Sequence, residues 1–251
     1  MVRFVLIHGG YHGAWCWDRL TPELEKFGHS TVAIDLPGCN HRHAETASLA
    51  SWRSALREVI QDGDVLVGHS MGGFAIALAA DEVPDKVGRL IFLSAAVPIE
   101  GEAMGASTAD SVANEWPTTV GLAYEEFLEV VEIPNQGPCV RLTKQMAANK
   151  LFYHDCSPDD QDWAWERRTP LPLAPALESF HVPRFWDTPI PRDFILTTDD
   201  YSHSKEMDNI FMRRLGLSTA FSIISSHSPF VSQPSNTAKL LDACAGGALS
   251  S

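Results

Sequence analysis

Short runs of apolar, often β-branched residues alternate along the chain with segments whose apolar positions recur at helical spacing. RFVLIH (3–8), STVAID (30–35), DVLVG (64–68), RLIFLS (89–94), DFILTT (193–198) and TAFSII (219–224) are rich in apolar residues. Strands buried on both faces of a parallel sheet have this character. Between them, helices are expected near 15–27, 47–61, 71–82, 204–215 and 234–244. Strands alternating with helices predict an α/β chain with a doubly wound, mostly parallel sheet.

The alternation stops between about residues 98 and 190. That stretch holds ten prolines and four of the seven tryptophans (116, 163, 165 and 186), so long regular elements are not expected in it. ADSVANEW (109–116), AYEEFLEVVE (123–132) and TKQMAANKLFYHD (143–155) read as short helices, and no run there is as convincing a strand as the six above. The expected organisation is a core of 1–97 and 190–251 with a helical cap, 98–189, inserted between two late strands. An insertion at that point can lie over the carboxyl ends of the strands, where open α/β sheets bind ligands.

Composition narrows the function classes. The chain has 251 residues, 45% of them apolar and 20% charged, enough for one sizeable core. Its formal net charge is −13 and it has no Lys/Arg-rich run. Nucleic acid and membrane surfaces are therefore not expected as partners. Five cysteines (16, 39, 139, 156 and 244) form no CxxC pair, so neither a disulfide framework nor a zinc site is expected. No run reaches the length of a membrane span, MVRFVLIHGG turns polar too soon for a signal peptide, and a cytoplasmic setting is expected. The tail AGGALSS is expected to fray.

One stretch calls for a chemical explanation. In DVLVGHSMGGFAIALAA (64–80) a strand pattern gives way to a helix pattern at Gly68-His69-Ser70-Met71-Gly72. This fits G-x-S-x-G with the strand and helix the motif needs on either side. Such a turn holds a serine in strained backbone with its hydroxyl pointing out of the sheet. Glycines flank it where a Cβ would collide. The following helix directs free N–H groups and its positive dipole end to the same spot, which suits a growing oxyanion.

A serine hydroxyl needs a base, and the base an orienting carboxylate. Among ten histidines, His227 in IISSHSPFVSQP follows the last strand and so lies on the same rim as Ser70. His41, His43, His154, His181 and His203 lie in loops or in the insertion with no strand to fix them, and His69 is expected to point away from the nucleophile. The carboxylate should end the preceding strand, where DFILTTDD offers Asp199 and Asp200. The order serine, aspartate, histidine is the one this fold uses. Either aspartate can reach the rim.

FVLIHGGYHGAWCWDRLTPELEKFGHSTVAIDLPG and GHSMGG together resemble the α/β-hydrolase superfamily. More narrowly they resemble its small esterases: plant methylesterases, salicylic acid-binding protein, hydroxynitrile lyases and bacterial pyrethroid-hydrolase-like proteins. HG-x-x-HGAW-x-W is the specific part. The likeness covers roughly 2–95 and 190–243 and is weak across the insertion apart from FYHDCSP (152–158).

The resemblance implies an α/β-hydrolase fold and a serine esterase with no cofactor and no metal. It implies an oxyanion hole from the Gly10 and Met71 amides, His8 and His12 as structural members of the loop, and Asp200, the last residue of ILTTDD, as the acid, with Asp199 the second choice. It also implies a pocket with walls from Tyr11, Trp116, Trp163, Trp165 and Trp186. The partner expected is a small, largely apolar ester, lactone or carbamate; homodimerisation is compatible with the sequence. Hydroxynitrile lyases share the scaffold, but their chemistry uses a threonine after the strand-end histidine and a lysine after the catalytic one. Here Gly9 and Ser228 stand at those positions. A protein that keeps the triad and senses a ligand without turning it over fits the same residues.

Overall fold

A computed structural model describes residues 1–108 and 115–246. Its main sheet has six parallel strands in the order β2-β1-β3-β4-β8-β9: β1 Arg3–Ile7, β2 Ser30–Ile34, β3 Asp64–His69, β4 Val87–Leu93, β8 Arg192–Thr197 and β9 Phe221–Ile223. All six coincide with the runs read from the sequence, to within two residues at each end. Alternate side chains leave on opposite faces. Thus Val5, Ile7, Leu66, Phe92 and Phe194 enter one apolar cluster, while Phe4, Leu6, Val67, Ile91 and Ile195 enter the other. A sheet buried on both faces needs apolar residues at both parities, which explains the unbroken runs.

Helices α1 Thr21–Lys26, α2 Leu49–Val59, α3 Gly72–Glu82, α11 Lys205–Arg214, α12 Pro229–Ser232 and α13 Pro234–Cys244 cover the sheet. The helix expected over 15–27 is instead a 3-10 turn at Ala14–Trp17 followed by α1. Ser48 begins α2 with a capping box: its hydroxyl accepts from Ser51 N–H, and Ser51 Oγ accepts from Ser48 N–H. Ten of the eleven residues of α3 are buried, so the element that follows the G-x-S-x-G turn is the central helix of one layer.

The inserted stretch differs from expectation. Short helices α4 Met104–Thr108, α5 Glu115–Val120, α6 Tyr124–Phe127, α7 Gln145–Phe152, α8 Pro158–Arg167 and α9 Ala174–Leu177 are joined by a second sheet. This sheet is antiparallel, in the order β5 Leu128–Ile133, β6 Gly137–Leu142, β7 Leu171–Pro172. AYEEFLEVVE is helical only through Phe127; its β-branched second half pairs with β6. The cause is Pro134-Asn135-Gln136-Gly137, where Asn135 and Gly137 take φ of 68° and 72° and turn the chain back as a hairpin. TKQMAANKLFYHD contains α7 as expected. Most of ADSVANEW, and the tail from residue 247, lie outside the described residues.

Residues 180–190 lie against the main sheet. Phe180, Val182, Phe185 and Ile190 are buried in the cluster that holds Phe74, Phe92 and Phe194, with α10 (Pro183–Asp187) against α3. All five cysteines are buried and unpaired. No helix among the described residues is long and apolar enough to cross a membrane.

Candidate active site

β3 ends at His69, and the chain reverses into α3 within three residues. Ser70 has φ of 52°, a region costly for a residue with a Cβ. The turn is locked by its neighbours: Ser70 N–H donates to Leu93 O, and Ser70 O accepts from Gly73 N–H and Ala96 N–H. There is no room beside it. A Cβ on Gly72 would sit 2.5 Å from Ile7 O, and one on Gly68 2.5 Å from Gly72 O. The flanking glycines are thus a steric requirement of the serine's position.

His227 lies in the loop between β9 and α12, and its side chain is 1% exposed. Its Nδ1–H donates to Asp200 Oδ2 at 2.6 Å. In the neutral ring this leaves the lone pair on Nε2, facing the cavity that Ser70 lines. Asp200 is fully saturated: Oδ2 also accepts from the Ser94 and Thr197 hydroxyls, and Oδ1 accepts from the Ser202 and His203 amides at 2.7 and 2.9 Å. Burial alone would raise the carboxyl's pKa; the His227 charge and hydrogen bond, with those of His203 and Thr197, outweigh it and hold Asp200 well below the usual carboxylate range. Asp199 is placed differently. Its side chain is 52% exposed and its carbonyl accepts from His154 Nε2–H. Of the two aspartates, Asp200 meets His227.

Gly10, Tyr11, Ser70, Met71 and His227 line one cavity of about 320 Å3, whose other walls include Phe74, Ala96, Met104, Trp116, Phe152, Leu171 and Ala176. Met71 immediately precedes α3, where N–H groups have no helical acceptor. Trp116 is the one tryptophan of the expected four on the cavity wall; its Nε1–H donates to Ser202 O. The other three are placed elsewhere. Trp163 packs edge-on against Trp15 between Arg19 and Arg167, and Trp165 lies under Arg168. Trp186 packs on Phe185 and Arg192 on the α3 side of the sheet. Bulk alone did not distinguish a pocket aromatic from one that packs inside its own layer.

One histidine is not where sequence reasoning put it, and a second has a role that pattern did not show. His203 has no strand of its own, yet it is buried on the cavity wall with its ring 4.8 Å from that of His227. The Asp200 carboxylate fixes it through its backbone N–H, a constraint no local pattern carries. Asp208 Oδ1 lies 3.5 Å from its Nδ1. Burial opposes charge on His203, but Asp208 and Asp200 outweigh this and push its pKa up. His69 also lines the cavity. Its Nε2–H donates to the His227 carbonyl at 2.8 Å, so it ties the Ser70 turn to the His227 loop.

The alpha/beta hydrolase family model matches residues 4–240. Polyneuridine aldehyde esterase of Rauvolfia serpentina is 30% identical over 252 residues, covering 95% of this chain and 94% of the relative. A crystal structure of polyneuridine aldehyde esterase superposes with a TM-score of 0.80 at 25% identity, over 97% of this chain and 99% of that one. A protein of Arabidopsis thaliana named "Putative methylesterase 15, chloroplastic" is 29% identical over 252 residues and 95% of this chain. The chain spans only 55% of that relative's length. Sequence and architecture agree across both the sheet and the inserted region, and the chain belongs to the alpha/beta hydrolase family.

Proposed function

We propose that this chain is a serine hydrolase of carboxylic esters or closely related acyl compounds. The observation that carries the reading is the buried 2.6 Å contact of His227 with Asp200 on the rim of a cavity that Ser70 enters from a strained turn. His227 Nε2 takes the Ser70 proton as Oγ attacks the substrate carbonyl. The Gly10 and Met71 amides receive the oxyanion. The imidazolium returns its proton to the leaving alcohol, and water, activated by the same base, releases the acid. Asp200 fixes the tautomer and stabilises the imidazolium.

The mostly apolar walls suit a small, largely apolar substrate, and the esterase names carried by the relatives point the same way. A threonine-assisted lyase is disfavoured on steric grounds. A Cβ on Gly9 would lie 2.8 Å from both His69 Nδ1 and Ser70 Cβ. Ser228, after the base, is buried and brings no positive charge to the site. Turnover of p-nitrophenyl acetate tests the proposal. The wild-type protein is expected to give steady release of p-nitrophenol, and Ser70→Ala to lose about 10⁴-fold or more while remaining folded. Tight ligand binding without turnover would instead make it a sensor.

A further inference from the structure

The oxyanion loop is bracketed by histidines whose tautomers can be deduced. His12 Nδ1 lies 2.7 Å from Gly10 O. A carbonyl only accepts, so Nδ1 carries the proton. His12 Nε2 then holds a lone pair and accepts from the Tyr153 hydroxyl at 2.5 Å. His8 repeats the pattern one peptide earlier: Nδ1–H donates to Gly9 O at 2.8 Å, and Nε2 accepts from Leu36 N–H. Across a trans peptide the C=O and N–H point in opposite directions. Gly9 C=O is held by His8, so the Gly10 N–H on the same peptide is turned away from His8. Gly10 C=O is held by His12, which fixes the next peptide as well.

Both rings must stay neutral for this arrangement to persist. Burial lowers the pKa of His8 and brings that of His12 down to about 3. Burial likewise keeps the Tyr153 hydroxyl protonated by raising its pKa. Trp15, Phe152 and Phe230 enclose the His12 ring. Tyr153 follows α7, in the inserted region. A second contact from that region reaches the same loop: Thr169 N–H donates to Tyr11 O, at a residue whose φ is 64°.

We propose that Tyr153, acting through His12, is a positioning residue for the oxyanion site, so that the inserted region sets the geometry of the loop as well as covering the cavity. This rests on the assignment of Gly10 N–H as an oxyanion donor. Tyr153 touches no reacting atom. Its hydroxyl fixes the His12 tautomer, the tautomer fixes Gly10 C=O, and the donor of the neighbouring peptide is held ready for the charge that develops in the transition state.

The test is Tyr153→Phe, which removes one oxygen and keeps the ring. Loss of a whole oxyanion donor costs about 10²–10³ in kcat, and a donor set loose should cost roughly 10-fold. For p-nitrophenyl acetate, kcat is expected to fall by that factor with KM within about twofold, as for an interaction made only in the transition state. Affinity for a phenylboronic acid, which forms a tetrahedral adduct on the serine, should fall in parallel. His12→Asn places an amide N–H where Nδ1–H stood, able to hold Gly10 C=O without help. Tyr153→Phe added to that variant should have little further effect on kcat. Unchanged kcat and boronic acid affinity in Tyr153→Phe would overturn the proposal even if His12→Asn failed to fold. So would an equal loss in both backgrounds, or a loss confined to KM and thermal stability. If the wild-type protein turned over no ester, the hydrolase reading itself would fall, and with it this one.

Discussion

Two regions meet at the cavity and are built on opposite principles. Below it lie six parallel strands whose central members are buried on both faces, and the turn that carries Ser70 has no space for a single added methyl at Gly68 or Gly72. Above it, the three-stranded sheet of the inserted region is thinly covered: along β5 no residue is fully buried, with Leu128, Val131 and Ile133 half-buried and Glu129, Val130 and Glu132 facing solvent. The lower region can hold reacting groups to fractions of an ångström, because any displacement meets packed atoms. The upper region contributes walls, where size matters more than registry, plus a few hydrogen bonds that reach down to the loop at residues 10–12 and to the base loop. Ser226 Oγ, for instance, donates to Phe152 O beside His227. Catalytic geometry should therefore be sensitive to single atoms below the cavity, and substrate preference to volume above it.

The largest expected contrast lies within the lower region, between neighbours. Asp200→Asn removes the acceptor that fixes the His227 tautomer and should lower ester turnover by about 10⁴-fold. Asp199→Asn alters a half-exposed carboxylate and should change turnover by less than about threefold. Rates of the two purified variants on one chromogenic ester decide the matter; a crippled Asp199→Asn with an active Asp200→Asn would reverse the assignment.

A single methyl in the turn comes next. In Gly72→Ala the new Cβ must displace the Ile7 carbonyl of a central strand, an overpacking cost of about 1–3 kcal/mol. In a chain of this size that corresponds to a fall in Tm of several degrees, roughly 2–4 °C for each kcal/mol. Calorimetry should show this fall in Gly72→Ala. At Gly105, where a Cβ meets no atom of the described residues within 4 Å, Gly→Ala should leave Tm nearly unchanged. Equal behaviour of the two would remove the contrast in tolerance.

The legibility of the chain follows the same division. Burial on both faces forces unbroken apolar runs in the central strands, and β-branched residues and regular spacing between helices marked the half-buried edge strands β2 and β9, so all six were readable. Strand ends fix the rim, so the placing of Ser70 and His227 on one cavity was readable too. Which aspartate meets His227 was not decided by pattern alone, because Asp199 and Asp200 are adjacent and only the fold sends one inward to Ser94, Thr197 and His227 while the other meets solvent. The inserted region was harder. Its hairpin depends on a Pro134-Asn135-Gln136-Gly137 turn that competes with a helix-like spacing in AYEEFLEVVE. Its cavity walls come from residues scattered over the sequence, such as Met104, Phe152, Leu171 and Ala176, which carry no shared signature. Trp163, Trp165 and Trp186 were conspicuous for their size, and each found its partners in a packed layer instead.

The smallest expected effect is on selectivity, and it separates the tryptophans. Trp116→Ala enlarges the cavity and frees Ser202 O, and should shift the ratio of p-nitrophenyl butyrate to p-nitrophenyl acetate turnover by about three- to tenfold, since one or two methylenes in an apolar pocket are worth only a few kcal/mol at most. Trp186→Phe, at a residue that packs on Phe185 and Arg192 away from the cavity wall, should leave that ratio unchanged. A shift with Trp186→Phe and none with Trp116→Ala would mean that the wrong tryptophan has been placed on the wall.

The central claim is that Ser70 is made nucleophilic by the Asp200–His227 pair, and a serine-directed fluorophosphonate tests it most directly. Intact-mass analysis and peptide mapping of the treated protein should show one adduct per chain, on Ser70, formed in step with loss of ester turnover. Asp200→Asn should label far more slowly than the wild type under the same conditions. Ester turnover that survives complete labelling, or an adduct on any other residue that accounts for the lost activity, would contradict the account.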